Sequence, residues 1–313
     1  MKFVILCPEN LCTGGTELAH QLCDAINKDG LDAYMYYINI KTGDDRPVDV
    51  DTPDKFKKYC DKHIRDYSEV NMSEDVFVVP EALTDWAFSF REGKVCIWWM
   101  SVDNFRHKDD QRYIRLLDYV SVYHLIQSEY AADFLRKKGI NEDKLVWLSD
   151  YISDTYLSIQ SSPENKKNAI LYNPQKGYEN IEPLIEKIKY AEWIPLKNLS
   201  EAEMIEKMKA AKIYIDFGKH PGKDRIPRET AICGCCVITN KCGSAAFEGD
   251  VPIGEEYKFE NQKDIDAIEK MIRSIFDEYL KHYEKFEPYR DFIRQEKEYF
   301  MIDAKGFTNL FIK

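Results

Sequence analysis

Residues 219–240 read Lys-His-Pro-Gly-Lys-Asp-Arg-Ile-Pro-Arg-Glu-Thr-Ala-Ile-Cys-Gly-Cys-Cys-Val-Ile-Thr-Asn and set how the second half of the chain is organised. The basic, glycine- and proline-bearing start indicates a loop that opens a short helix. Gly234 ends that helix, and the apolar run Cys236–Thr239 indicates a strand. A strand candidate, Ile213–Phe217, also precedes the loop. The order strand, loop, helix, strand is typical of a parallel α/β sheet.

The same alternation of apolar runs and helical patterns extends along the whole chain. It predicts parallel sheets that are covered by helices on both faces. The strand candidates of the first half are Phe3–Leu6, Ala33–Ile38, Val76–Val79, Val95–Trp99, Val122–Ile126 and Leu145–Leu148. Those of the second half are Ala169–Tyr172, Trp193–Leu196, Ile213–Phe217 and Cys236–Thr239. The helix candidates are about 16–27, the segment from Ser128 to Gly139, about 180–189 and about 263–283. A further helix is expected after Ser200 and Glu203, which form a capping box.

Residues 158–168 are polar and lack periodicity, which is typical of a linker. They divide the chain into two similar α/β domains, 1–157 and 169–285, followed by C-terminal helices in 286–313. Ligands of such sheets bind at the carboxyl ends of the strands, so we expect a ligand in the cleft between the domains. The polar segment 40–71 is expected to hold a loop and an amphipathic helix with Phe56, Tyr59 and His63, and no function is assigned to it.

The composition excludes several classes of protein. The net charge of −11 argues against nucleic acid as the main partner, since a phosphate backbone requires a basic face. No stretch is long and apolar enough to span a bilayer. Nine cysteines, an odd number without an export signal, indicate reduced thiols and a cytoplasmic location.

The loop at 219–225 carries the strongest functional signal. Four cations, Lys219, Lys223, Arg225 and Arg228, lie close to a helix start for which Asp224 is the candidate cap. Helix N-termini bind anions, so the pattern predicts a phosphate site. A solvated basic loop is the alternative, and the acidity of the rest of the chain favours the phosphate interpretation.

Lys176 lies on a glycine-bearing turn, Tyr172–Gly177, directly after the first strand of the second domain. This placement suits a phosphate contact, although taken alone an exposed lysine on an ordinary turn explains it better.

The first domain offers two further candidates. Thr13, Gly14 and Gly15 follow the first strand and allow a bound group to approach the backbone, or they form an ordinary turn. The turn lacks the spaced three-glycine fingerprint, which argues against a nicotinamide cofactor. Asp103 follows Trp98 and Trp99 at the end of a strand. There it could hydrogen-bond a hydroxylated substrate or act as a base, and the structural alternative is that it caps the next helix.

Together, Thr13–Gly15, Tyr172–Gly177 and the run from Arg228 to Gly234 resemble the GT-B-fold glycosyltransferases, most closely the large retaining family that includes sucrose and mannosyl transferases. The resemblance implies two Rossmann-like domains that face a cleft, with residues 286–313 packing back on the first domain. It implies transfer of a sugar from a nucleotide-diphosphate donor to the hydroxyl of a glycan or lipid-linked acceptor, in surface-polysaccharide or glycoconjugate synthesis. A lipid-linked acceptor implies peripheral contact with the inner face of the membrane.

The resemblance also implies roles for single residues. Glu229 matches the glutamate that holds the nucleotide ribose, and Lys176 matches the basic residue on the donor diphosphate. Arg225, Arg228 and the helix amides then stabilise the leaving diphosphate, with no metal and no cofactor. Trp193 is expected near the nucleotide base.

The first-domain turn with Gly14 and Gly15 is expected to lie against donor and acceptor. Asp103 orients substrate in a retaining reaction and becomes the candidate base in an inverting one, so the candidate catalytic residues are Asp103, Lys176 and Arg225. Pro221 stands where the family has its other glutamate, eight positions before Glu229, and Lys223, Asp224 or Arg225 fills that space instead.

Three alternatives remain open at this point. A nucleotide-sugar epimerase has paired carboxylates and histidine, a set that this sequence does not show. A non-catalytic GT-B-like partner subunit is favoured by Pro221. A metal-dependent transferase would use Asp49 and Asp51, but chance explains that pair in so acidic a chain, and we assign no metal. Cys233 and Cys236 have C-x-x-C spacing but close a helix, so they are interpreted as small buried thiols.

Overall fold

The computed structural model describes residues 1–119, 121–260 and 264–312, which form two compact units. Unit 1 comprises Met1–Asp150 and Glu298–Lys313, and unit 2 comprises Tyr151–Lys297. Each unit is built on one sheet of parallel strands connected through helices, which confirms the predicted α/β class. Lys263, the predicted first residue of a helix, lies outside the described residues. Within the described ranges, no helix combines the length and the apolar character needed to cross a bilayer.

The sheet of unit 1 has six strands in the order β2-β1-β3-β4-β5-β6. The strands are β1 (Phe3–Pro8), β2 (Ala33–Ile38), β3 (Val76–Pro80), β4 (Lys94–Trp99), β5 (Val122–Ile126) and β6 (Leu145–Trp147). The helices are α1 (Gly14–Lys28), α2 (Thr84–Ala87), α3 (Gln111–Leu117) and α4 (Glu129–Lys137). The strands are continuous apolar runs because helices cover both faces, and the neighbouring Trp98 and Trp99 are both fully buried.

The last turns of the chain belong to unit 1. Phe307 packs edge-on against Phe3 of β1, with 5.6 Å between the ring centroids. The carboxylate of Asp303 accepts hydrogen bonds from the backbone N–H and the hydroxyl of Ser149, at 3.0 and 2.6 Å. Burial of an aromatic ring such as that of Phe307 is worth roughly 1.5–3 kcal/mol, so these contacts stabilise the C-terminal segment in unit 1.

One prediction for the segment 40–71 is wrong. Residues 54–59 form turns instead of the predicted amphipathic helix. Tertiary contacts override the helical pattern, because Phe56 is fully buried against His20 and the Tyr59 hydroxyl donates to Glu17 at 2.9 Å. In addition, Cys60 lies against Cys23 of α1.

The sheet of unit 2 has five strands in the order β11-β10-β9-β7-β8. The strands are β7 (Lys167–Tyr172), β8 (Glu192–Pro195), β9 (Ala211–Asp216), β10 (Cys236–Asn240) and β11 (Lys258–Phe259). The helices are α5 (Asp154–Leu157), α6 (Tyr178–Lys187), α7 (Glu201–Ala210), α8 (Arg225–Ile232), α9 (Ile265–Asp277), α10 (Tyr279–Lys285) and α11 (Glu287–Asn309), whose last turns belong to unit 1.

The single helix predicted for 263–283 is wrong, because Glu278 breaks it into α9 and α10. Glu278 has a non-helical backbone (φ −120°, ψ 40°), and its N–H still caps α9 on the Ser274 carbonyl. The break lets Tyr279 turn inward, where its hydroxyl donates to the Gly234 carbonyl at 2.6 Å. Tertiary packing of one aromatic residue therefore ends a pattern that is helical in the sequence.

The loops after β7 and β9 approach each other closely. Gly177 caps α6 with a left-handed backbone (φ 63°), and a Cβ atom there would lie 2.4 Å from the carbonyl oxygen of Phe217. That oxygen accepts from the Asn180 side chain at 2.9 Å. Glycine is required at 177 on both counts, because a side chain would clash with the backbone and strain its own φ angle.

We therefore expect Gly177→Ala to lower the free energy of unfolding by about 1–3 kcal/mol or more, through the positive φ and the clash. Urea unfolding of the purified protein measures this as a lower midpoint.

Gly306→Ala is the matched control, since Gly306 lies inside α11 with nothing within 4 Å of its added Cβ. Alanine there should raise stability by about 0.5–1 kcal/mol. Equal midpoints for Gly177→Ala and the wild type would show that the two loops do not meet this closely.

Candidate functional site

The strand order of unit 2 reverses between β7 and β9, and open α/β sheets bind ligands at such a reversal. Lys176 lies in the loop after β7, and its ammonium group donates to Asp224 Oδ1 at 2.7 Å. Asp224 precedes α8, which follows the loop after β9. The structure thus brings together Lys176 and the basic loop, two segments that the sequence singled out separately. The Lys176 side chain is 40% exposed, so it is open to a ligand.

The loop after β9 is fixed from the side of β10. Asn240, the last residue of β10, donates to the Gly218 carbonyl at 2.9 Å. The Ser244 hydroxyl donates to the Gly222 carbonyl at 2.6 Å, and its backbone N–H donates to the His220 carbonyl at 2.8 Å. The backbone from 218 to 222 is therefore held at three points, and the side chains on this loop are held with it.

His220 is buried between two carboxylates. Its Nδ1 lies 3.1 Å from Asp224 Oδ2, and its Nε2 lies 3.8 Å from Asp216 Oδ1. Burial alone would lower the pKa of His220, but the hydrogen bond with Asp224 and the charges of Asp216 and Asp224 outweigh it and raise that pKa. Burial likewise opposes ionisation of Asp224, yet His220 and Lys176 together lower the pKa of Asp224. The arrangement stabilises an imidazolium between two carboxylates.

The start of α8 combines an N-cap aspartate with a cation on the first turn. Asp224 occupies the N-cap position, but its side chain makes no capping hydrogen bond to the helix. On the first turn, Arg225 Nε lies 3.8 Å from the carboxylate of Glu229, whose residue is 8% exposed. The helix dipole, Arg225 and Lys176 place positive charge where the strand order reverses.

Two of the predicted donor-binding cations lie deeper. Lys223 Nζ lies 2.9 Å from Glu296 Oε1, and Arg228 donates to Glu296 Oε2 at 2.8 Å. The guanidinium of Arg228 also donates to the Lys223 and Asp224 carbonyls. Arg228 and Glu296 are 1% and 2% exposed. This buried ion cluster anchors the basic loop to α11, and removal of one member of such a cluster costs about 3–5 kcal/mol.

The remaining predicted residues of unit 2 lie at its periphery. Lys219 is exposed. Trp193 of β8 is half-buried, its indole N–H donates to the Ile188 carbonyl at 3.0 Å, and its ring packs edge-on against Tyr172 with 6.1 Å between centroids. β8 adjoins β7 on the side away from β9.

Within the described ranges, one group of three side chains has the spacing of metal ligands, namely Asp216, His220 and Asp224, whose ligand atoms lie within 4.8 Å of one another. Lys176 already neutralises Asp224 and would repel a cation there. Cys233 and Cys236 are buried free thiols, as predicted, and burial raises the pKa of Cys233 to about 12. Asp49 pairs with Arg65.

In unit 1 the strand order reverses between β1 and β3, and the glycine turn lies at the end of β1. Thr13 caps α1 in a reciprocal capping box with Thr16, and Gly14 is exposed. A Cβ atom on Gly15 would make only an ordinary contact with Met100, at 3.8 Å. The surroundings of Gly15 leave room for a side chain. The turn is therefore equally compatible with close approach of a bound group and with an ordinary turn.

Asp103 lies in the loop after β4, where it accepts from Lys108 Nζ at 2.9 Å and its side chain is 35% exposed. Glu81, directly after β3, holds this loop. Its buried carboxyl accepts from the Met100 N–H at 3.1 Å and also bonds the Ser101 N–H and the Asn104 side chain. Burial raises the pKa of Glu81 to about 8 and outweighs these donors. Glu81 carries no functional signal in the sequence, since a single glutamate after a strand is common.

Comparison with known proteins rests on structure alone. No protein-family model matches the chain, and no curated protein matches it in sequence. A glycosyltransferase from Rickettsia africae is similar over 99% of this chain and 97% of its own, with a TM-score of 0.69 and 12% identity. Anabaena HepE in complex with UDP-glucose has a TM-score of 0.65 and 10% identity over 99% and 100% of the two chains.

Sucrose-phosphate synthase from Thermosynechococcus elongatus has a TM-score of 0.62 and 12% identity over 99% and 98% of the two chains. The chain has the GT-B fold. This confirms the fold predicted from the sequence, with two Rossmann-like domains built on parallel sheets. At such low identity the likeness extends to the fold and leaves the activity to be argued from the site.

The raised pKa of Glu81 predicts how stability depends on pH. Between the ordinary value of 4.5 and about 8, the folded state holds a proton that the unfolded state releases, so stability falls as pH rises through this window. Urea midpoints measured from pH 5 to pH 9 should fall more steeply for the wild type than for Glu81→Gln, which cannot ionise. Parallel curves would contradict a neutral, buried Glu81.

Proposed function

We propose that this protein is a glycosyltransferase that moves a sugar from a nucleoside-diphosphate donor to an acceptor hydroxyl. The observation that carries the proposal is the cluster of Lys176, Asp224 and the start of α8 at the strand-order reversal of a GT-B domain. This combination supplies a positive site for a diphosphate at the position where open α/β sheets bind ligands.

The chemistry follows from where charge develops. As the bond between the anomeric carbon and the β-phosphate oxygen breaks, negative charge builds on the leaving diphosphate. Lys176, Arg225 and the first amides of α8 would stabilise that charge. An ammonium group has three N–H donors, so Lys176 can bind a phosphate oxygen while it keeps Asp224. Lys223 and Arg228, paired with Glu296, would support the loop and add to its positive potential.

The ribose and the base of the donor nucleotide are assigned to neighbouring side chains. Glu229, one turn into α8, is the candidate partner of the ribose hydroxyls, because a carboxylate accepts two such bonds. Trp193 offers an aromatic ring near the nucleotide base. A uridine donor is the first to test, because the similar Anabaena protein was solved with UDP-glucose. Gly14 and Gly15 remain candidates for contact with the donor and acceptor.

The acceptor proton has two routes. In a retaining reaction the leaving phosphate takes it, and Asp103 orients the acceptor. In an inverting reaction Asp103 takes it directly, through a partly exposed carboxylate that pairs with Lys108. We propose a retaining reaction on a glycan or lipid-linked acceptor in surface-polysaccharide or glycoconjugate synthesis. The site would then lie in the cytoplasm, with peripheral membrane contact where the acceptor is lipid-linked.

Thermal unfolding against UDP, GDP, ADP, CMP and dTDP, each with and without EDTA, tests the donor site. A ligand that binds only the folded state raises the midpoint. We expect one nucleoside diphosphate to raise it, and the rise to persist in EDTA because cationic side chains carry the diphosphate charge. A rise that EDTA abolishes would contradict the metal-independent site.

Variants then locate the site. Lys176→Ala should reduce hydrolysis of the matching nucleotide sugar by about tenfold to a hundredfold, the loss of one charge-assisted hydrogen bond. Glu229→Ala should weaken nucleotide binding. Lys281→Ala is the control, since Lys281 is exposed on α10 and pairs only with Glu278 among the described salt bridges. Full activity in Lys176→Ala would overturn the assignment. No midpoint shift with any nucleotide would favour the non-catalytic subunit that Pro221 suggests.

A further inference from the structure

Asp224 occupies the N-cap position of α8 without capping it. An aspartate at this position normally accepts a hydrogen bond from the second or third residue of the helix. Here the third residue, Pro227, has no N–H, so Ile226 offers the ordinary target. The side chain of Asp224 makes no such bond, although its backbone has the extended conformation typical of a capping residue (φ −63°, ψ 138°).

Two cationic groups hold the Asp224 carboxylate elsewhere. Oδ1 accepts from Lys176 Nζ at 2.7 Å, and Oδ2 lies 3.1 Å from His220 Nδ1. The Lys176 side chain is long and 40% exposed, whereas the His220 side chain is 2% exposed. His220 is therefore the rigid one of the two partners.

The position of His220 is itself fixed from two sides. Its Nε2 lies 3.4 Å from the Asp216 carbonyl oxygen, and the Asp216 carboxylate is held by the Tyr214 hydroxyl at 2.8 Å and the Gly218 N–H at 3.1 Å. The carbonyl oxygen of His220 accepts a hydrogen bond from the Ser244 N–H at 2.8 Å. Gly243 packs so closely that a Cβ atom there would lie 1.9 Å from the His220 oxygen.

From this geometry we infer that His220 is a positioning residue, which holds the Asp224 carboxylate off the first amides of α8 and so keeps them open to the donor diphosphate. The inference rests on the proposed function. If the Asp224 carboxylate accepted a hydrogen bond from the Ile226 N–H, it would compete with the phosphate of a bound nucleotide for that N–H group. It would also add negative charge beside the phosphate. His220 acts through Asp224 and makes no contact with the donor.

A matched pair of substitutions separates this role from general support of the fold. Asparagine places its amide nitrogen near the position of histidine Nδ1, whereas glutamine places it near Nε2. His220→Asn therefore keeps a donor for Asp224, and His220→Gln loses it while keeping a polar group toward Asp216. Asp224→Ala, alone and combined with His220→Gln, removes the competing carboxylate.

Isothermal titration with UDP gives the first readout. We expect His220→Gln to raise the Kd about fivefold to tenfold, the equilibrium equivalent of a typical N-cap bond. His220→Asn should stay within about threefold of the wild type. The double variant His220→Gln/Asp224→Ala should return to within about threefold of Asp224→Ala, because no carboxylate is left to compete. A double variant as weak as His220→Gln alone would overturn the inference, and so would wild-type affinity in His220→Gln.

Amide hydrogen exchange at Ile226 gives a second readout that needs no nucleotide. In His220→Gln the released Asp224 caps the helix, so the Ile226 amide should exchange at least about fivefold more slowly than in the wild type. In the double variant the exchange should be fast again. Equal exchange rates in all variants would overturn the inference even where UDP binds. Failure of wild-type protein to bind any nucleotide, with the exchange pattern intact, would instead refute the proposed function.

Discussion

The close meeting of two backbone loops at the reversal of the second sheet is the constraint on which the candidate site depends. Gly177 lies so close to Phe217 that no side chain fits between them, and Asn180 fastens the same carbonyl. This contact sets the distance between the loop after β7 and the loop after β9. Lys176, on the first of these loops, donates to Asp224 Oδ1 at the start of α8 at 2.7 Å. Gly177 therefore lies where the two loops that carry Lys176 and Asp224 meet.

The cations around the start of α8 form a buried set and a more exposed set. The buried cations, Lys223 and Arg228, share the carboxylate of Glu296, and they hold the loop to α11. The more exposed cations, Lys176 and Arg225, face carboxylates at the edge of the site, where a ligand can add to or replace those contacts. In the proposed donor site, the buried cluster would fix the loop while the outer cations meet the charge of the diphosphate.

Much of the fold could be predicted from the sequence because the strands are fully buried. Ala33–Ile38 and Val122–Ile126 have the predicted bounds, and the capping box of Ser200 and Glu203 is present at α7. The errors occur where tertiary contacts override local pattern. Residues 54–59 are turned by the burial of Phe56, and Glu278 breaks a helix so that Tyr279 can pack inward.

The site was predictable in part. The residue types around the start of α8 and the turn at Lys176 carried a phosphate signal, because charge density and helix position are visible in a sequence. The pairing of Lys223 and Arg228 with Glu296 was not visible, since it joins residues 68 and more positions apart through the packing of α11. His220 and Glu81 carried no signal either, because a single histidine or glutamate acquires its role only from the groups that surround it.

The most direct test of the account is a crystal structure of the protein with UDP bound in the absence of divalent metal. We predict a diphosphate whose oxygens lie within hydrogen-bond distance of Lys176 Nζ and the first amides of α8, with the Asp224 carboxylate still on His220. A diphosphate bound elsewhere, or one that requires a metal ion on Asp216, His220 and Asp224, would contradict the central claim.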